Sequence, residues 1–324
     1  MKTLEVLRDL NSFIDEPYKS NAYRKAIGTI KAVDFPVMKT DDVRGLPGIG
    51  KGILHKIDLI IKGEDPLDLE YHGLHNNPDV IAYLNLKTVP GLGVSRIKKL
   101  VKQGIRSIDE LKKAAKNGDI KLTKQQIVGL KYLKDLSVPI PRSEITNAGK
   151  RMRNALNTTI KEMKKRGEIP VDVTANIEIV GSYRRGKYKS NDIDILIYIN
   201  DDDTDISKKV LNCFVDTLVK RKIVIDCITD GVVSTKFMGI VKTAKRGRHI
   251  DIRSVTNKQY PFALLYFTGS RGNNIRMRTE AAKKGYKLNE YALIRKRDNK
   301  KISLSTEQEI YEYLGMPYLL PRDR

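Results

Sequence analysis

The sequence predicts a multidomain chain: a helical N-terminal domain with two helix-hairpin-helix motifs, then an α+β half on a mixed β-sheet, closed by a small α+β C-terminal domain. Apolar residues recur at helical spacing up to about residue 135, a Pro-Gly-x-Gly element occurs twice in that stretch, and from residue 177 the apolar period shifts to two. With 324 residues the chain has room for two or more domains of roughly 150 residues each. The boundaries expected are 1–84, 85–142, 143–256 and 257–324.

The helical half rests on spacings such as Leu4, Leu7, Leu10 and Ile53, Ile57, Ile60, with turns near Pro36, at Asp65-Pro66 and at Asn117-Gly118. Its repeat consists of Leu46-Pro47-Gly48-Ile49-Gly50 and Val89-Pro90-Gly91-Leu92-Gly93, each followed by a basic amphipathic stretch. Both glycines of each pair can take positive φ or let the backbone approach a ligand, and the following helix offers unpaired N–H groups at its start. Such a turn suits phosphate. One copy is equally compatible with a plain connector between packed helices. Two copies in a basic chain point to a nucleic-acid backbone gripped without sequence readout, because phosphates are the same at every base.

Lys and Arg number 61 against 39 Asp and Glu, a formal net charge of +22, which favours a polyanionic partner: nucleic acid or an anionic membrane surface. No window approaches the roughly 18 apolar residues of a membrane span, so no membrane insertion is expected. The N-terminus lacks a secretory pattern. Two cysteines and four scattered histidines form neither a disulfide framework nor a zinc signature, and a reducing, intracellular setting is expected.

After Val138-Pro139-Ile140-Pro141 a helix is expected from about Ser143 to Arg166. Strands follow at Ile177–Val180, Ile193–Ile199, Ile223–Ile225 and His249–Arg253, and from Asn257 helix and short-strand signals mix. In Asp192-Ile193-Asp194 the period of two puts both carboxylates on one face, while Ile193, Ile195 and Ile197 anchor the other. Asp251 has the same setting between Ile250 and Ile252. Like charges this close repel unless a cation neutralises them, and a hard divalent ion, Mg²⁺ first, is the natural occupant. Three acids can bridge two such ions about 4 Å apart, enough to activate a hydroxyl and stabilise a leaving pyrophosphate. A lone Asp-x-Asp also fits a solvated strand face. Just upstream, Gly181-Ser182-Tyr183-Arg184-Arg185-Gly186 offers amides, a hydroxyl and a guanidinium for a triphosphate at a strand-to-helix turn, and the order reads as a nucleotidyltransferase palm.

Further signatures stand in series: Asn21-Ala22-Tyr23-Arg24-Lys25-Ala26, both hairpins, Ile140-Pro141-Arg142, the Gly181–Gly186 run, Asp192-Ile193-Asp194, Lys236-Phe237-Met238-Gly239, Ile250-Asp251-Ile252-Arg253, Tyr266-Phe267-Thr268-Gly269-Ser270 and Asn289-Glu290-Tyr291. Over nearly its whole length the chain resembles the X family of DNA polymerases in its beta-like form, lyase domain included. The resemblance implies a template-directed, gap-filling polymerase of base excision repair with a 5′-deoxyribose-phosphate lyase activity. It further implies gapped or nicked double-stranded DNA and dNTPs as partners, a monomer, two Mg²⁺ ions with Mn²⁺ as substitute, and a monovalent Na⁺ or K⁺ at the hairpins. Abundant lysine, isoleucine and asparagine fit an AT-rich genome; a nuclear location, or a cytoplasmic or virion one for a viral protein, is expected.

By the same resemblance, Asp192 and Asp194 bind both metals and Asp251 the catalytic one. Ser182, Arg185 and Asn191 attend the triphosphate, and Arg142 its far end, where bidentate arginine suits the task. Tyr266 and Phe267, with Gly269 in the turn beneath, abut the incoming sugar. Asn274 and Arg278 probe the minor groove, where degenerate readout tests pair shape rather than base identity. Arg253 switches partners on closure, or else forms a simple ion pair; Lys236 is a further DNA contact. Lys56 is the lyase nucleophile. Ile53 and Ile60, at i−3 and i+4, would desolvate it and favour a neutral amine, whereas its repeat equivalent Lys99 has Arg96 and Gln103 there. By pattern alone Lys56 is one solvated lysine among many. Lys19, Tyr23 and Arg44 correspond to the 5′-phosphate pocket, and Gly48, Gly50, Gly91 and Gly93 to the hairpin turns.

The sequence departs from the family at three places. Gly52 replaces a usual lysine, with Lys51 beside it, which predicts weaker 5′-phosphate binding. Asn191 stands where glycine is expected, and Arg271 where an aspartate near the nascent pair is expected, which predicts lower fidelity. Competing functions are a template-independent nucleotidyltransferase and a non-catalytic DNA-gap-binding scaffold. Asn274 with Arg278 argues against the first, and the intact acids against the second.

Overall fold

The computed structural model describes residues 2–33, 37–64, 77–229, 235–244 and 246–324. The turns expected near Pro36 and at Asp65-Pro66 lie outside them. The chain divides into two units, Met1–Leu133 and Lys134–Arg324. Among the described residues no helix is long and apolar enough to cross a membrane.

The first unit is helical: α1 (Lys2–Phe13), α2 (Pro17–Ala32), α3 (Lys51–Lys62), α4 (Pro78–Leu86), α5 (Val94–Lys102), α6 (Ile108–Asn117) and α7 (Lys124–Lys131). Leu4, Leu7 and Leu10 of α1 are sealed in one core with Tyr83, Leu86, Ile97, Leu100 and Leu111. Capping boxes, Ser107 with Glu110 and Thr123 with Gln126, start α6 and α7, and left-handed Gly118 ends α6 at the expected turn. The two hairpins are conformational copies. Gly48 and Gly91 take φ of +80° and +82°, where an added Cβ would stand 3.0 Å from Lys25 Cβ and 3.3 Å from the Gln125 side chain respectively. Gly50 and Gly93 have φ of −86° and −88° and serve as the N-caps of α3 and α5. Positive φ is open to both glycines of each pair; only the first adopts it, and the second takes the extended conformation of a helix N-cap.

In the second unit α8 (Arg142–Lys165) buries a stripe including Ile145, Met152, Leu156 and Met163. It packs with α10 (Thr204–Lys220) in the cluster built on one face of a five-stranded sheet. The strands are β2 (Ala175–Ile179), β4 (Ile193–Ile199), β5 (Val224–Cys227), β6 (Lys236–Thr243) and β7 (Arg246–Val255), in the order β2-β4-β7-β6-β5. Only β4 and β7 run parallel; the other neighbours are antiparallel. The short strands β1 (Ile140–Pro141) and β3 (Lys189–Ser190) pair beside it, and α9 (Gly181–Arg184) leaves the end of β2. The C-terminal part holds α11 (Tyr260–Thr268), α12 (Arg271–Lys283), α13 (Glu307–Tyr313) and a three-stranded sheet of β8 (Tyr286–Leu288), β9 (Leu293–Arg295) and β10 (Lys301–Ile302), with its own core around Phe262, Leu265, Met277, Leu293, Ile310 and Tyr311.

Candidate active site

The parallel register sets Asp194 of β4 directly opposite Asp251 of β7. Register partners on neighbouring strands share a face, so the two carboxylates project together, while Ile193, Ile195, Ile250 and Ile252 fill the core on the other side. Farther along the acidic face Leu196 and Val255 are sealed by Ala263 of α11. Asp192, Asp194 and Asp251 stay partly exposed.

Asp194 lies against Gly181. That glycine has φ +61°, and a Cβ on it would fall 1.9 Å from Asp194 Oδ2, so no other residue fits there with the acid in place. Burial pushes the Asp194 carboxyl up to about 7; the charges of Asp192 and Asp251 add to this, and Arg185 and Arg253 oppose it. Asp251 is raised by burial too, against the pull of Arg253, Lys236 and His249. Arg253 Nε stands 3.1 Å from Asp251 Oδ1, but the pair is not aligned for hydrogen bonding, and both buried atoms lack a hydrogen-bond partner.

Neighbouring buried acids that resist ionisation fit a hard divalent cation in their donor chemistry. Among the described residues no three acid, histidine or cysteine side chains form a ready-made cage. Mg²⁺ is commonly held by one or two carboxylates plus substrate phosphates, for which a closed protein cage is not required.

Among the residues expected at a triphosphate, Ser182 Oγ donates to Ser190 Oγ at 2.6 Å. Arg185 Nη1 donates to Thr268 O at 2.5 Å, and burial lowers the pKa of its guanidinium while Asp194 and Asp192 support its charge. Asn191 is exposed in the link between β3 and β4. Arg142 opens α8 with Nη1 donating to Tyr183 O at 2.6 Å and its guanidinium 3.9 Å from the Tyr183 ring centre. Gly269 follows α11 with φ +70° and joins Ser270 by a cis peptide bond.

The residues expected to select the nucleotide also gather. Tyr266 and Phe267 meet edge to face at 5.0 Å, Arg253 lies 5.3 Å from the Phe267 ring centre, and Arg278 4.9 Å from that of Tyr266. Asn274 Nδ2 donates to Tyr266 O, and Arg278 Nη2 is 3.5 Å from Glu290 Oε2. Arg271, the first residue of α12, is exposed. Lys236 opens β6 opposite Arg253.

In the first unit Lys56 is half-buried on α3, with Ile53 buried, whereas Lys99 on α5 is exposed. Lys19, Arg44 and Lys51 are exposed, Lys19 within 3.8 Å of Glu16 and Arg44 within 2.8 Å of Asp41. Tyr23 is instead buried, at 3% exposure, in the helical core. An open groove of about 690 Å³ runs along Tyr18, Asn21, Arg24 and Lys25 of α2 and Gly48–Gly50 of the first hairpin.

Sequence reasoning passed over His249. It shares the Asp251 face two residues away, burial lowers its pKa, and the charges of Asp192 and Asp251 oppose that shift. The alternation His249-Ile250-Asp251 was the available signal.

Comparison with known proteins matches four segments of the chain. Residues 1–65 match a helix-hairpin-helix domain, 85–137 the fingers domain of DNA polymerase lambda, 139–257 the DNA polymerase beta palm and 263–324 the DNA polymerase beta thumb. The chain belongs to the X family of DNA polymerases. Polymerases of this family generally use divalent metal ions. It is 27% identical to DNA polymerase lambda of Rattus norvegicus (99% of this chain, 55% of the relative) and 28% identical to DNA polymerase lambda of Arabidopsis thaliana (96% and 59%). It is also 27% identical to the DNA polymerase/3'-5' exonuclease PolX of Bacillus subtilis (strain 168) (100% and 53%). The chain thus spans about half the length of these relatives.

Proposed function

We propose that this chain is a template-directed DNA polymerase that fills short gaps during base excision repair, and that it also removes a 5′-deoxyribose phosphate through a Schiff base on Lys56. The observation that carries the first activity is the in-register pair Asp194 and Asp251; burial, with the charges of Asp192 and Asp251 added, pushes the Asp194 carboxyl up to about 7. Divalent cations, Mg²⁺ or Mn²⁺, held by Asp192, Asp194 and Asp251 would supply charge neutralisation for the attacking 3′-hydroxyl and the leaving pyrophosphate.

The chain's own groups do the rest. Gly181 leaves room for Asp194. Ser182, Arg185, Asn191 and Arg142 bind and orient the triphosphate, Arg142 after exchanging its Tyr183 carbonyl for a phosphate oxygen. Tyr266 and Phe267, above the Gly269 turn, wall the sugar; Asn274 and Arg278 test the minor-groove edge. Arg271 weakens discrimination by offering a cation that binds any nucleotide or template. Arg253 holds Asp251 and Phe267 until closure, and Lys236 meets the DNA backbone. Lys19, Arg44 and Lys51 receive the 5′-phosphate, and Tyr23, buried in the helical core, packs behind them rather than meeting it. The hairpins at Gly48, Gly50, Gly91 and Gly93 grip the backbone with a bound Na⁺ or K⁺. The protein acts as a monomer on gapped or nicked DNA with dNTPs. Half-burial of Lys56 against the exposure of Lys99 supports the lyase assignment.

The test is a one-nucleotide gapped duplex bearing a 5′-deoxyribose phosphate, with borohydride trapping run beside dNTP addition. The expected result is templated insertion and a covalent adduct lost in Lys56→Ala but kept in Lys99→Ala. Trapping that survives Lys56→Ala removes the lyase reading, and extension of single strands without template removes the templated one.

A further inference from the structure

A second cationic surface lies apart from the acids. In the C-terminal part Lys284, Gly285, Tyr286, Arg295, Lys296 and Arg297 line an open groove of about 570 Å³. Between residues 283 and 301 the chain carries eight Lys and Arg against two acids, a charge density several times its average. One of the acids, Asp298, is committed to Arg295, with Nη2 at 2.9 Å from Oδ2; the other, Glu290, stands by Arg278. Lys284, Lys296 and Arg297 are exposed, and among the described residues neither Lys284 nor Lys296 has an acidic partner within ion-pair distance.

The walls are fixed by backbone. Tyr286 pairs with Arg295 across β8 and β9, Lys296 N donates to Gly285 O at 2.9 Å, and the Tyr286 hydroxyl bonds that of Tyr313 at 2.9 Å. Like charges held this way repel one another, and an anion relieves the cost. Among the described residues lining the groove, none has a buried side-chain polar atom lacking a hydrogen-bond partner. An open row of cations instead suits a polyanion that exchanges its counterions for them.

The register also gives the groove its place. Leu288 pairs with Leu293 at the end of the hairpin whose turn carries Glu290, the partner of Arg278; Tyr286 pairs with Arg295 two residues farther. Two residues of strand span roughly 7 Å. We propose that this groove is a second DNA contact that grips backbone phosphates of the duplex flanking the gap, outside the nucleotidyl-transfer site. The assignment rests on DNA being the partner proposed above.

The experiment compares wild type with Lys284→Gln/Lys296→Gln/Arg297→Gln on two gapped duplexes, one with arms of about 20 base pairs and one with arms of about 6. A charge-matched control, Lys161→Gln/Lys165→Gln/Lys220→Gln, removes exposed lysines of α8 and α10. On the long-armed duplex the groove variant is expected to bind at least about tenfold more weakly, and its log–log salt slope to fall by about 0.9 per lost phosphate contact, about 2 to 3 in all. Insertion into the short-armed gap at saturating DNA is expected to match wild type. An unchanged slope and affinity, an equal loss in the control, or an equal loss on both duplexes overturns the proposal. Wild type that binds both duplexes but never inserts a nucleotide would defeat the polymerase reading and leave the groove measurement intact.

Discussion

Replacing Asp194 by Asn should stabilise the metal-free protein at neutral and alkaline pH. The carboxyl titrates at about 7 in the fold against 3.8 as a free side chain. Between those values the unfolded chain releases its proton first. The folded state therefore loses ground as pH rises from about 4 to about 7 and carries the whole penalty above that. Some three pKa units at about 1.4 kcal/mol each set a ceiling on the order of 4 kcal/mol. Urea unfolding in excess chelator, followed from pH 5 to 8.5 in both proteins, reads the difference directly: the advantage of the variant should grow up to about pH 7 and then level. Adding Mg²⁺ should stabilise wild type far more than the variant. Parallel stability profiles across the range would refute the burial of Asp194 beside Asp192 and Asp251.

Gly181→Ala forces a Cβ into Asp194 Oδ2 at a left-handed φ, and nucleotide insertion should fall by at least about a hundredfold while the helical unit keeps its unfolding transition; near-normal insertion would show that Asp194 can move freely. Nothing stands within 4 Å of a Cβ on Gly52, so Gly52→Lys should fit, gain roughly 0.5–1 kcal/mol in helix α3 and strengthen binding to a 5′-phosphorylated gap; an unchanged preference for the phosphate would contradict the departure argued there. Glu307 is buried between Arg184, bonded at 2.8 and 3.1 Å, and Arg324, so Glu307→Gln should cost about 3–5 kcal/mol in urea unfolding of the C-terminal unit by leaving buried guanidinium charge uncompensated.

Elements whose pattern is local were legible beforehand. The alternation around Asp194 and Asp251 placed both acids on one face, and the paired glycines announced two copies of one turn. The helix expected from Ser143 to Arg166 forms at Arg142–Lys165. What stayed hidden depends on partners distant in the chain. Strand β6 does not alternate cleanly, since Gly239, Ile240 and Val241 are buried in succession. Arg142 leans on Tyr183, 41 residues away, and Arg184 on Glu307, 123 residues away; no spacing rule connects them. The family resemblance assigns Tyr23 to the 5′-phosphate pocket, yet helical periodicity with Ala26 and Ile27 turns its ring inward.

The most direct test of the three-carboxylate site is calorimetric titration of Mg²⁺ into the protein saturated with a non-hydrolysable dNTP on gapped DNA. Wild type is predicted to take up two ions, and Asp192→Asn/Asp194→Asn/Asp251→Asn to take up none above background. Equal uptake by both proteins would contradict the account.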